Sequence, residues 1–329
     1  MSCRILQPIA TSLEEVSDRL RGGDCVGLPT ETVYGLAGNA LDADAPRKIF
    51  EIKGRPLIDP LIVHVLDAAE AKRVAVLNDK AECLMKAFWP GPLTIVLPRT
   101  NAVPDLVTSG LDTVAVRSPA HPIFRKVLEI SGLCLAAPSA NPFGYISPTR
   151  AEHVADHLGD RLELVLDGGG CEHGVESTIV DLSSQTAKVL RPGPILPEEL
   201  EAVLGEPVEM SLQHAPNSSI SLKAAGSLAK HYSPRTSCFL VEEFQREGSS
   251  GARLWLERPK VGRGRDEKFQ GEHFWLSESG STAEMLRNLY DLMHRLDKLS
   301  FDWIEIQDPG ADLKKVTLRD RLKRACHQD

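Results

Sequence analysis

The sequence has no paired cysteines and no long apolar run. Its seven cysteines are scattered along 329 residues without a CxxC pair, which argues against a zinc ribbon or a disulfide framework. No stretch approaches the roughly 18 apolar residues that a membrane-spanning helix needs. Pro8 and the pair Glu14 and Glu15 interrupt the apolar run that a secretory signal requires. We therefore expect a cytoplasmic protein with no membrane partner.

Several motifs of nucleotide and hydrolytic chemistry are also absent. The chain contains no GxxxxGK(S/T) loop, no GxGxxG turn, no GxSxG elbow and no HExxH helix. A P-loop NTPase is excluded, and an NAD-dependent enzyme is disfavoured. His153 and His157 are four residues apart, but no metalloprotease-type carboxylate accompanies them. A solvated helix face is the favoured interpretation of this pair, and no protein metal site is predicted.

The chain has fewer basic than acidic residues. The chain carries 38 Lys and Arg against 46 Asp and Glu, a formal net charge of −8. Proteins built around broad contact with nucleic-acid phosphates usually have a basic face. Strong RNA binding is therefore not expected, whereas a local basic pocket for one nucleotide is compatible with this balance.

Apolar periodicity predicts an α/β fold. Between Thr11 and Gly193, runs of strand length alternate with helical patterns. One helix is expected to begin with a capping box at Thr11 or Ser12, and another to begin at Asp44 and end at Gly54. Strands are predicted at 25–29, 61–65, 93–97, 113–117, 133–137, 162–166, 177–182 and 187–190. Most of these runs are continuously apolar, which is typical of a sheet covered on both faces.

A change of composition near Pro194 predicts a second domain. Residues 197–204 are expected to form a helix, and the polar stretch 206–234 is interpreted as a linker. The alternation then resumes, with strands near 237–241, 253–257, 274–277 and 303–306 and a helix over 282–298. The predicted boundaries are thus 1–205, 206–234 and 235–329.

Four polar clusters in the first domain lie at predicted strand or helix ends, where ligands of α/β sheets usually bind. Residues 29–36 (PTETVYGL) follow a buried strand, and either meet a small polar substrate or form a surface turn. Residues 53–56 (KGRP) place two cations at a helix C-terminus. They either complement the helix dipole or clamp a polyphosphate.

The other two clusters offer hydroxyls, an amide and one cation. Residues 137–142 (APSANP) and 147–149 (SPT) precede a predicted helix, for which Thr149 and Glu152 form a possible capping box. They are either caps and turns or contacts to phosphate and ribose oxygens. Residues 174–179 (GVESTI) and 191–194 (RPGP) are either a strand pair closed by a turn or two walls of one cleft.

Together the four clusters resemble the YrdC-domain family of L-threonylcarbamoyladenylate synthases, in its long, two-domain form. The matching segments are PTETVYGL at 29–36, KxRP at 53–56, SxN at 139–141, SPT at 147–149, VESTI at 175–179 and RPG at 191–193. They occur in the family's order. The resemblance covers residues 5–205, and 231–234 (HYSP) is similar to the end of the family's linker motif.

The resemblance implies a twisted, open mixed sheet with a large concave cleft, plus a smaller, Rossmann-like C-terminal α/β domain. It also implies a nucleotidyltransferase that joins L-threonine, bicarbonate or CO₂, and ATP into threonylcarbamoyl-AMP, releasing pyrophosphate. Mg²⁺ would be bound mainly through the ATP phosphates. A separate transferase would transfer the threonylcarbamoyl group to the tRNA adenosine beside the anticodon. This chain would therefore bind tRNA only indirectly or weakly.

The resemblance assigns roles to individual residues. The catalytic set is Lys53, Arg55, Ser139 and Asn141. The ATP-binding set is Arg55, Asp59, Thr113, Ser139, Ser147, Arg191 and Tyr232. The L-threonine-binding set is Thr32, His64, Arg117, Ala137 and Ser177, with Arg117 suited to pair the substrate carboxylate.

This sequence departs from the family pattern at two places. Residues 226–232 (GSLAKHY) keep only the ends of the linker motif, which leaves lid contacts from 227–229 open, and Asp59 stands where Asn is common. Two rival interpretations are a hydrogenase-maturation carbamoyltransferase, whose CxxC pairs are missing here, and an RNA-binding module without synthase activity.

Overall fold

The computed structural model describes residues 3–211, 231–259 and 268–327. The described residues group into two compact units. The first contains 3–143, 148–172 and 176–211, and the second contains 144–147, 173–175, 231–259 and 268–327. Two short pieces, 144–147 and 173–175, therefore belong to the second unit although the chain around them belongs to the first. The predicted boundaries at 205 and 234 stay predictions, since most of the linker, including 227–229, lies outside the described residues.

The first unit is built on one large mixed sheet. Its strands are β1 (Arg4–Leu6), β2 (Val26–Leu28), β3 (Gly35–Asn39), β4 (Ile62–His64), β5 (Leu93–Pro98), β6 (Thr113–Arg117), β7 (Leu135–Ala136), β8 (Leu164–Leu166), β9 (Thr178–Asp181), β10 (Lys188–Arg191) and β11 (Glu209–Met210). They pair in the order β1-β8-β2-β3-β7-β4-β6-β5-β9-β10-β11. The predicted α/β class with a mixed sheet is confirmed.

Helices accompany this sheet. They are α1 (Ala10–Arg21), α2 (Ala45–Lys53), α3 (Ala68–Ala71), α4 (Asp79–Phe88), α5 (Asp105–Thr108), α6 (Pro122–Ser131), α7 (Ala151–Leu158) and α8 (Pro197–Leu204). Along β8, Leu164 and Leu166 join one buried cluster and Val165 joins another. Since side chains alternate along a strand, the two clusters lie on opposite faces of the sheet.

Two of the predicted helix starts are wrong. The helix α1 begins after Ile9, so Thr11 and Ser12 lie inside it. The helix α7 begins after Arg150 without a side-chain cap. Thr149 instead lies against His153, whose Nδ1 is 3.3 Å from the Thr149 backbone nitrogen. His153 is buried, so the predicted solvated face is wrong for this residue.

The second unit contains a smaller parallel sheet. Its strands are β12 (Ser237–Val241), β13 (Gly251–Glu257), β14 (Glu272–Ser277) and β15 (Trp303–Gln307), in the order β12-β15-β13-β14. The helices are α9 (Thr282–Lys298) and α10 (Val316–Ala325). None of the helices in the described ranges combines the length and apolar character needed to cross a membrane.

Candidate active site

One face of the central strands has an apolar floor. Ile62, Val96, Ala115 and Ile179 form a small buried cluster of their own. Because side chains alternate, residues two positions away share this face. These include His64, Thr94, Thr113 and Arg117, and Arg117 pairs in register with both His64 and Thr94. Polar groups thus border the floor at both ends of β6.

Arg117 lies at the centre of the polar cluster at the C-terminal end of β6. Its Nη2 is 2.6 Å from Oε1 of Glu31, and both side chains are 4% exposed. Its Nη1 donates to Thr32 Oγ1 at 2.9 Å, and its Nε donates to the Gly91 carbonyl at 3.2 Å. Thr30 shapes the loop, since its Oγ1 accepts from the Thr32 and Val33 backbone N–H groups at 3.1 Å. All the donor nitrogens of Arg117 are therefore engaged by protein groups.

The charges of the titratable groups in this cluster sum to zero. Burial by itself raises the pKa of Glu31, but attraction and hydrogen bonding by Arg117 outweigh it and lower the pKa. Burial, assisted by repulsion from Arg117, lowers the pKa of His64 to about 3. Within the described residues, its Nδ1 has no hydrogen-bond partner. The imidazole is neutral at pH 7 and has a polar atom to offer a ligand.

Ser177 and Arg191 meet beside this cluster. Ser177 Oγ lies 2.7 Å from Thr94 Oγ1. Arg191 Nη2 donates to Ser177 Oγ and to the Ser177 carbonyl, each at 3.0 Å. Gly193 allows this approach, because a Cβ there would overlap the backbone of Ser177 and Thr178. Arg191, assigned to ATP by resemblance, thus contacts Ser177, assigned to threonine.

Lys53 lies among carbonyl oxygens at the end of α2. Its Nζ donates to the carbonyls of Ser139 at 2.5 Å and Asn141 at 2.7 Å, with Asn141 Oδ1 at 3.5 Å. The side chain is 2% exposed. Burial, followed by repulsion from Arg55, lowers its pKa well below 10.5. No carboxylate in the described part of the chain forms an ion pair with Lys53.

Arg55 is held by the loop that follows it. Its Nη2 is 2.9 Å from Asp59 Oδ1, and its Nε donates to the Asp59 carbonyl at 2.9 Å. Both side chains are almost fully buried. Asp59 is therefore a carboxylate partner of Arg55, whereas Lys53 lies among carbonyl oxygens and forms no ion pair with a carboxylate of the described residues.

The structure brings most of the assigned residues to two places in the first unit. One cluster lies at the C-terminal ends of β4 and β6 and contains Thr32, His64, Arg117 and Ser177. The other lies at the C-terminal end of α2 and contains Lys53, Arg55, Asp59, Ser139 and Asn141. Ala137 lies beside β4, since its N–H donates to the Ile62 carbonyl at 3.1 Å. Thr113 begins β6 and lies about 13 Å from Arg117 by strand geometry. The two cannot bind the same small group.

Ser147 and Tyr232 belong to the second unit. The Ser147 carbonyl lies 3.1 Å from His294 Nε2. Tyr232 has a positive φ of 64° and is fully buried. Its ring centroid is 5.6 Å from that of Tyr290, and the Arg321 guanidinium lies 5.1 Å from its ring. These contacts fix the Tyr232 conformation within the unit.

Three buried polar residues of the site escaped the sequence assignment. Thr30 and Glu31 lie inside the segment 29–36, but nothing in it identifies Arg117 as the partner of Glu31. Thr94 offers a weak signal, since it is the one hydroxyl in the apolar run 93–97. A buried hydroxyl in such a run needs a partner, which here is Ser177.

Similarity to known proteins covers both units. Residues 18–193 match the family profile described as telomere recombination, and 195–326 match the C-terminal domain of threonylcarbamoyl-AMP synthase. The threonylcarbamoyl-AMP synthase of Pyrococcus abyssi is 40% identical, over 93% of this chain and 91% of that protein. That of Bacillus subtilis is 37% identical, over 93% and 90%. A crystal structure of P. abyssi Sua5 complexed with L-threonine matches with a TM-score of 0.85 at 35% identity, over 96% of this chain and 94% of that one.

Proposed function

This chain belongs to the threonylcarbamoyl-AMP synthase family, and on that basis we propose that it condenses L-threonine, bicarbonate or CO₂, and ATP into L-threonylcarbamoyl-AMP. In this nucleotidyl transfer, a carboxylate oxygen of N-carboxythreonine attacks the α-phosphorus of ATP. The new O–P bond replaces the bond to the β-phosphate bridging oxygen, and pyrophosphate leaves. No covalent enzyme intermediate is needed.

The Arg117 cluster is proposed to bind threonine. Guanidinium groups bind carboxylates with two parallel hydrogen bonds. Thr32, Ser177 and the neutral His64 add hydrogen-bonding groups for the other polar atoms of threonine. The related Sua5 was crystallised with L-threonine. Since Glu31 already pairs with Arg117, substrate must either share the guanidinium or displace Glu31. Ala137 would border the same pocket.

The Lys53 end is proposed to bind ATP. A buried cation without a carboxylate partner is costly, and an anionic ligand would remove that cost. This uncompensated Lys53 is the observation that carries the proposal. Arg55, Ser139 and Asn141 would complete the phosphate site, with Asp59 orienting Arg55. Thr113, Ser147, Arg191 and Tyr232 are further proposed ATP contacts.

Positioning would supply most of the catalysis. The carbamate is a weak, short-lived nucleophile, so holding it in line with the α-phosphate converts a rare encounter into an intramolecular step. Cations placed where charge builds up on the leaving pyrophosphate lower the barrier further.

The proposed Mg²⁺ would enter with ATP. The two carboxylates of the site, Glu31 and Asp59, are each held by an arginine. The described residues contain no group of three or more His, Cys, Asp or Glu able to hold a metal. Such a donor set suits an ion carried by substrate phosphates, which is how Mg²⁺ commonly binds. The ion would neutralise phosphate charge.

The product would be consumed by a separate transferase that modifies the tRNA adenosine next to the anticodon. Threonylcarbamoyl-AMP is a mixed anhydride and hydrolyses readily, so prompt transfer is expected. We propose no direct role for tRNA in the synthase step.

The test follows pyrophosphate release with ATP, L-threonine, bicarbonate and Mg²⁺, omitting one component at a time. Release should require both threonine and bicarbonate. It should collapse in Lys53→Met and persist in Lys48→Met, a matched control on the same helix whose Nζ contacts Gly23 and Asp24 at the surface. Release indifferent to threonine would refute the proposed reaction.

A further inference from the structure

A cavity adjoins the C-terminal end of β6, where Arg117 lies. Its volume is about 530 Å³, within the range of small-molecule sites, which is roughly 300–1,000 Å³. Ser118, which directly follows Arg117, lines it, as does Leu66, two residues beyond His64. Nothing in the proposed synthase reaction uses this cavity.

Three large apolar side chains are among those that line the cavity. They are Leu77, Met85 and Trp89. The Trp89 indole N–H donates to the Leu93 carbonyl at 2.8 Å. This hydrogen bond within the protein holds the ring in place before any ligand binds. An aromatic ring and a thioether that line the same cavity favour a flat apolar group.

The charged groups around the cavity leave positive charge in excess. Two carboxylates border it, and both are engaged. Asp67 Oδ1 accepts from the backbone N–H groups of Ala69 and Glu70 at 2.9 Å, and Glu82 lies 3.8 Å from Lys72 Nζ. Lys86 and Arg125 also line the cavity, and within the described ranges neither has a carboxylate partner.

Arg125 is fixed by hydrogen bonds to two backbone carbonyls and one side-chain hydroxyl. Its Nη1 donates to the Leu66 carbonyl at 2.9 Å and to Ser118 Oγ at 3.2 Å, with the Pro119 carbonyl at 3.4 Å. The side chain is half-buried. These neutral acceptors orient the guanidinium but do not neutralise it. A half-buried, oriented and uncompensated guanidinium is suited to a carboxylate or phosphate.

The geometry points to a second binding site in this cavity, for a small amphipathic anion. The ligand would have a flat apolar body against Trp89 and Met85 and a carboxylate or phosphate at Arg125, with Lys86 assisting. This site is separate from the proposed synthase reaction and does not depend on it.

The test compares two probes that differ only in charge. Indole-3-acetate and neutral indole-3-acetamide are titrated into the full chain, and binding is followed by ligand-observed NMR. The acetate should bind saturably and about fivefold more tightly, since one partly exposed charged contact is worth on the order of 1 kcal/mol. Phenyl phosphate should compete with it.

Three variants locate the binding. Arg125→Met should abolish the preference for the acetate, whereas Lys126→Met, on the next residue but outside the cavity, should retain it. Ala69→Trp, a surface change that fills the cavity, should abolish binding of both probes even if Arg125→Met fails to fold. Equal binding of the two probes, no saturable binding, or unchanged binding in Ala69→Trp would overturn the proposal.

Discussion

The two ends of the candidate active site handle buried charge in opposite ways. At the Arg117 end, Glu31 supplies one negative charge to one positive charge, and His64 is neutral. At the Lys53 end, Asp59 pairs with Arg55, and Lys53 forms no ion pair with a carboxylate in the described part of the chain. The first end is complete without ligand, whereas the second gains most when an anion arrives. Substitutions at the first end should therefore affect folding most, and substitutions at the second should affect activity most.

The largest effect is expected from Glu31→Gln. Removing one partner of a buried ion pair leaves Arg117 uncompensated, which typically costs about 3–5 kcal/mol of unfolding free energy. Urea denaturation should show this loss. The double variant Glu31→Gln with Arg117→Met should recover much of it, because both charges are then gone. A fully additive double variant would show that the two residues act independently.

Lys53→Met should give the opposite pattern. Loss of a cation aimed at transition-state charge is expected to lower kcat by about 10²–10³-fold. The free energy of unfolding should change little, because the lost hydrogen bonds offset the removal of an uncompensated charge. Steady-state kinetics and urea denaturation of the same preparation check both. A large loss of stability would mean that Lys53 is structural, and the comparison between the two ends would fail.

The elements that could be predicted from sequence are those with an unbroken local pattern. The strand 113–117 and the helices 197–204 and 282–298 match β6, α8 and α9 residue for residue. The strand β3, with the sequence GLAGN, was missed because glycine and asparagine have low strand propensity. It forms because β2 and β7 pair with it on either side. Tertiary pairing here overrides local preference.

The same distinction separates what could and could not be predicted of the site. Lys53 and Arg55 stand out locally, as two cations at a helix end. The pairing of Arg117 with Glu31 joins residues 86 positions apart, and no local pattern shows it. Nor does any pattern show that Lys53 lies among the carbonyls of Ser139 and Asn141. Charge compensation depends on these long-range contacts, so the contrast between the two ends emerges only from the fold.

His64 provides a pH test of the Arg117 end. Its pKa is lowered from 6.5 to about 3 on folding, so the unfolded chain binds the proton more readily. Its contribution to stability is complete above pH 6.5 and falls as the pH drops towards 3, by about 2 kcal/mol at pH 5. In His64→Gln, the loss of stability between pH 7 and pH 5 should be smaller by that amount. Equal losses in both proteins would show that folding does not lower the pKa of His64.

The smallest predicted effect is proton uptake when ATP binds, and it is specific to the Lys53 end. Because burial and Arg55 lower the pKa of Lys53, its amine loses the proton at a lower pH than an exposed lysine does. Binding of a polyphosphate favours the charged form and raises the pKa again, so ATP should bind with uptake of up to one proton. Calorimetric titration in two buffers of different ionisation enthalpy measures this uptake, and Lys53→Met should abolish it. Threonine binding should show no comparable uptake, since the Arg117 end is already neutral as a set. Uptake with threonine but not with ATP would reverse the assignment of the two ends.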